Sequence, residues 1–111
     1  MKIDLTLSDR QLNTLVYCFS FINQFYPKTR KEKSTNSILV EVILKVKKKY
    51  LEVEAREKTL FTKPKTTKFS FKYYEADCLE QYLLLVENQP LNEYDKNAVL
   101  FIKNKLNQKL A

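Results

Sequence analysis

Apolar and polar residues alternate from the start of the chain. Ile3, Leu5 and Leu7 share one side of an extended segment, with Lys2, Asp4 and Thr6 on the other. A period of two is that of a half-buried strand. The period then changes. Ser8 is followed three residues on by Gln11, the spacing of a capping box, in which hydroxyl and side-chain amide satisfy each other's backbone donors. Leu12, Leu15, Val16, Phe19 and Ile22 step by three and four, so a helix is expected from Asp9 towards Pro27.

Residues 28–36 are charged and polar and are expected as a loop, with Ser34, Thr35 or Asn36 able to cap the next helix. Residues 37–60 satisfy two periods at once. Ile38, Val40, Val42, Leu44 and Val46 alternate, whereas Leu39, Val42, Ile43, Val46, Tyr50 and Val53 follow helical spacing. No Gly, Pro, Asn or Asp interrupts residues 37–61, so a hairpin has no turn chemistry there and one long helix is expected. At 1.5 Å per residue it would be about 36 Å long.

Residues 62–67, which contain Pro64, break the pattern. Phe69, Phe71 and Tyr73 then alternate with Ser70, Lys72 and Tyr74, a second strand. A third helix is expected over about 74–87, with Leu79, Tyr82, Leu83 and Val86 inward. Asn88-Gln89-Pro90 ends it, and Asn92 caps a fourth helix whose inner stripe is Ala98, Phe101, Ile102, Leu106 and Leu110.

The expected fold is therefore mostly helical α+β: four helices and a small two-stranded ribbon in the order β-α-α-β-α-α. Two short strands need helices over their apolar faces to be stable. One domain over 1–111 is expected, with pattern-level halves 1–61 and 62–111. The strand direction, parallel or antiparallel, is open.

Composition narrows the chemistry. The 111 residues include no Gly, no His and no Trp. Gly-dependent phosphate loops are excluded, as are Ser-His and Cys-His pairs and His-containing zinc sites. Cys18 and Cys78 stand 60 positions apart and fall on helices near apolar residues, which points to buried reduced thiols. Glu80 and Glu87 share a side of the third helix without a third ligand or base. No enzyme activity, cofactor or metal is expected. The first residues lack the apolar stretch of a signal peptide and no run reaches the ~20 apolar residues of a membrane span. A cytoplasmic location without membrane contact is expected.

Charge is unevenly spread. The formal net charge is +7, carried by 17 Lys and three Arg against 13 acids. Residues 1–27 are neutral, 28–72 carry +9 and 73–111 carry −2. Lys28, Arg30, Lys31, Lys33, Lys48, Lys63, Lys65 and Lys68 are candidate nucleic-acid contacts, with Phe69 or Phe71 beside them for base stacking. Against this stand the scarcity of Arg, whose forks suit phosphate and base edges, and the positions of the two basic groups at opposite ends of the long helix. Codon bias in an A/T-rich gene would produce the same Lys-rich composition.

The long helix is apolar on a second side. Val40, Leu44, Leu51 and Ala55 form a stripe, with Lys47 beside it, on the flank away from the main core face. Such a helix is either packed on both sides within its own domain or covered by another chain. The leading functional expectation is a non-enzymatic interaction protein, an adaptor, regulator or accessory subunit, homodimeric through Val40, Leu44, Lys47, Leu51 and Ala55. The alternative is a small basic nucleic-acid-binding protein using residues 28–72.

Overall fold

A computed structural model describes residues 2–24, 27–55 and 66–111. The elements are β1 (Lys2–Ser8), α1 (Asp9–Cys18) continued by a 3-10 segment (Phe19–Gln24), α2 (Arg30–Ala55), β2 (Thr66–Lys72), α3 (Tyr73–Val86) and α4 (Glu93–Leu110). With the 3-10 segment joined to α1, the order is the expected β-α-α-β-α-α.

The strands pair antiparallel, from Lys2 opposite Lys72 to Ser8 opposite Thr66. This register places Ile3 against Phe71, Leu5 against Phe69 and Leu7 against Thr67, all on one buried face. The rings of Phe69 and Phe71 stack nearly parallel, 5.8 Å apart. On the opposite face Ser70 donates its hydroxyl to the Asp4 carboxylate at 2.7 Å, and Lys68 lies 3.5 Å from the same carboxylate. These two groups hold the Asp4 carboxyl below its ordinary pKa, the Ser70 hydrogen bond most of all.

A two-stranded ribbon has two open edges. At its middle pair, the carbonyl of Ser70 accepts from the Lys45 ammonium of α2 at 2.5 Å, and the carbonyl of Asp4 accepts from Lys109 of α4. Lysines from two helices thus satisfy backbone acceptors that neither strand pairs.

Both strands pass into helices without a linker. Ser8 ends β1 and caps α1: its hydroxyl accepts from the Gln11 N–H at 3.2 Å while its own N–H donates to the Gln11 side chain at 3.0 Å. At the second junction the Lys72 N–H donates to Glu75 at 2.8 Å. The helices cover the ribbon with Leu12 and Leu15 of α1, Val42 and Val46 of α2, Leu79 and Leu83 of α3, and Ile102 and Leu106 of α4, all essentially inaccessible. Two polar ties join helices across this core. Tyr82 of α3 donates its hydroxyl at 2.5 Å to the carbonyl of Cys18, where α1 passes into the 3-10 segment. Thr14 of α1 donates to Asp95 of α4 at 2.9 Å.

Four boundaries or faces differ from expectation. Residues 30–36 are helical, so the charged segment is the opening of α2 and not a loop. Its cap is Thr29: the Glu32 N–H donates to the Thr29 hydroxyl at 3.1 Å, and the N–H groups of Lys28 and Thr29 donate to the Glu32 carboxylate at 2.7 and 3.1 Å. The far end of the expected helix, residues 56–60, lies outside the described residues. Thr66 and Thr67 belong to β2 instead of the preceding breaker, and Tyr73 begins α3 instead of ending the strand. On α4 the inward residue is Val99; Phe101 is 41% exposed, with Lys105 above its ring at 5.8 Å.

Replacing Tyr82 by Phe removes its hydrogen bond to the Cys18 carbonyl and should lower unfolding free energy by about 0.5–1.5 kcal/mol, read from urea denaturation. The Glu32 carboxyl is held below its ordinary pKa by the backbone N–H groups of Lys28 and Thr29. Its contribution is complete above the unfolded-state pKa and is lost as pH falls through the depressed folded value. Acid titration should therefore lower the protection factors of amides in the first turn of α2, taken against the intrinsic exchange rate at each pH, and Glu32→Gln should remove that pH dependence.

Candidate interaction surfaces on the second helix

Helix α2 is the longest element, about 39 Å at 1.5 Å per residue. Its inner face, Leu39, Val42, Ile43, Val46 and Val53, is buried against the other helices. Its second apolar stripe is not. Leu44 is 63% exposed, Leu51 66% and Val40 41%, and Lys47 and Ala55 beside them are exposed. This removes the reading in which α2 is packed on both sides within its own domain. The five residues singled out from the sequence do share one outward surface.

The flank of α2 on the other side of this stripe faces the ribbon. Here a groove of about 510 Å³ runs between α2 and β2. Lys45, Lys48, Lys49 and Glu52 line it from the helix, Lys68 and Ser70 from β2, and Lys2 from β1. Phe69 closes its floor but is only 2% exposed. Two of the cations are engaged. Lys45 reaches the Ser70 carbonyl and lies 3.8 Å from Glu75, and Lys68 pairs with Asp4. Lys72, next along β2, lies over the ring of Tyr74 at 5.7 Å.

The basic residues nominated from the sequence fall into separate places. Lys48 and Lys68 meet in the groove. Lys28, Arg30, Lys31 and Lys33 lie at the start of α2, exposed, and from Lys31 to Lys49 the helix rises about 27 Å. Lys63 and Lys65 lie outside the described residues. Stacking of bases on Phe69 or Phe71 is excluded, because both rings are sealed in the core. Lys2, Lys45 and Lys49 carry no local signal that marks them as contacts. Lys2 joins Lys49 only through the strand register and the packing of α2 beside β2.

The carboxylates hold the helices together. Glu87 of α3 accepts from Lys103 of α4 at 2.6 Å, and Glu80 of α3 accepts from Asn107 of α4 at 3.2 Å. Among the described residues no group of three His, Cys, Asp or Glu is placed to hold a metal. No helix among them is long and apolar enough to cross a membrane.

Both cysteines are free and buried. Burial pushes the Cys18 thiol up to about 12, with the Asp95 carboxylate adding to it; burial also raises Cys78, with Asp77 adding. Neutral buried thiols are poor nucleophiles. A thiol-disulfide reagent at neutral pH should therefore react slowly with the native protein and rapidly with both thiols in denaturant. Rapid native reaction of one thiol would reveal an opening at its helix.

Comparison with known protein families, curated proteins and solved structures finds no match to this chain.

Proposed function

We propose that the protein is a non-enzymatic interaction module that pairs with a second copy of itself through the outer face of α2, as an adaptor, regulator or accessory subunit. The observation that carries this reading is the line of three large apolar side chains, Val40, Leu44 and Leu51, 41–66% exposed on a helix that already buries Leu39, Val42, Ile43, Val46 and Val53 on its other side. A contiguous exposed apolar patch on a small protein is characteristic of an interaction site.

The same face is self-complementary in charge. A two-fold pair is isologous, so residue i meets j and j meets i. If two copies of α2 cross antiparallel beside Leu44, Glu41 on one flank comes level with Lys48 of the second copy, and the reverse. Both side chains are exposed and stand three and four residues from Leu44 on the same flank of the stripe. The apolar stripe and the two ion pairs then close on one register.

Light scattering across a wide concentration range tests this reading. The wild-type chain should pass from monomer to dimer. Leu44→Asp with Leu51→Asp should stay monomeric at every concentration with its thermal unfolding little changed, since both side chains are exposed in the single chain. A wild-type chain that remains monomeric throughout overturns the pairing.

A further inference from the structure

We propose that the groove between α2 and β2 binds the phosphate backbone of duplex nucleic acid, with Lys2 and Lys49 as its principal cations, Lys48 at the rim and Lys68 partly neutralised by Asp4. The groove lining holds five lysines and one glutamate; with Asp4 on Lys68 and Glu75 on Lys45 counted, the local net charge is +2. These cations come from three elements that meet, although residues 2, 49 and 68 are far apart in sequence. The ammonium groups of Lys2 and Lys49 make no ion pair or hydrogen bond among the described residues. Holding like charges together is unfavourable, and a polyanion relieves it by replacing condensed counterions.

The residue types select among polyanions. Lysine is a point charge without the planar fork that reads base edges, so binding is expected to be indifferent to sequence. A single strand would want an aromatic platform, and the ring under this groove, Phe69, is buried against Phe71. A lipid surface would want apolar side chains to insert, and the lining of this recess offers none that is exposed. A duplex supplies closely spaced phosphates without either requirement. Lys45 contributes charge but is held by the Ser70 carbonyl and Glu75, and Glu52 limits the site to the cationic side of the groove.

The test is fluorescence anisotropy with a short labelled duplex DNA of random sequence, across salt concentrations. The wild-type chain should bind at low salt with affinity falling linearly in log K against log salt. Lys2→Ala with Lys49→Ala should weaken binding at least about tenfold at low salt and flatten that slope by about 2, one for each phosphate no longer neutralised. Lys31→Ala with Lys33→Ala removes the same charge from the far end of α2 and should change affinity by less than about twofold. Circular dichroism melts check both variants, and Lys49→Glu alone serves if the double variant melts early. Equal losses in the two double variants would show diffuse charge attraction and overturn the site. So would failure of the wild type to bind at low salt, or tighter binding to phosphatidylserine vesicles than to duplex. The groove is built within one chain, so the Leu44→Asp, Leu51→Asp chain should retain it whether or not the wild type pairs.

Discussion

The structure depends on one constraint: a seven-residue antiparallel ribbon with a single apolar face has to be covered. Two strands alone are at best marginally stable in water. Ile3, Leu5 and Leu7 opposite Phe71, Phe69 and Thr67 form a strip that helices must close over. The strands also come from distant parts of the chain, with residues 9–65 between them, so their pairing carries a loop-closure cost that local contacts cannot offset. The four helices supply the compensation by burying their apolar faces against that strip and one another.

Once the inner faces are committed, the outward features of α2 arise from its amphipathic excess. A 26-residue helix has more apolar positions than one core face can absorb. The surplus, Val40, Leu44 and Leu51, lies outward, and the lysines between the two apolar sides are directed to solvent or towards the ribbon. The apolar stripe and the cationic groove are thus neighbouring strips of a single helix, with Lys48 at their border. Surfaces placed this way share one rigid support, and binding as proposed would draw on different physics at each: desolvation on one side, ion release on the other.

The fold is largely legible in the sequence because its periodicities are clean. The alternation of residues 2–7, the Ser8–Gln11 box and the Asn92 cap each have local physical causes, and the structure contains all three. The differences arise where a local rule has a competitor. Thr29 with Glu32 has the spacing of a capping box, but Arg30, Lys31 and Lys33 are unfavourable at the positive end of a helix dipole and disguise the start. Tyr73 continues a period of two, yet Glu75 is placed to satisfy the Lys72 N–H and starts the helix one residue earlier. Phe101 fits the inner spacing of α4 as well as Val99 does, and only packing chooses between them. The surfaces divide in the same way. The stripe on α2 is legible because helical geometry alone gathers its residues. The groove is not, because Lys2, Lys49 and Lys68 meet through strand register and the packing of α2 beside β2.

The lysines on the carbonyls of Ser70 and Asp4 bear on what the protein avoids. An unpaired strand edge is a template on which a strand from another molecule can grow, and a two-stranded ribbon offers two such templates for every chain. Lys45 and Lys109 occupy the central acceptor on each side and place a cation where an incoming backbone would lie. Extension of the ribbon would have to expel both ammonium groups and accept a strand beside them. Two of the four helices around the ribbon, α2 and α4, therefore also guard its flanks. That guard sets the ribbon against open-ended growth with side chains lent by helices and not by the strands themselves.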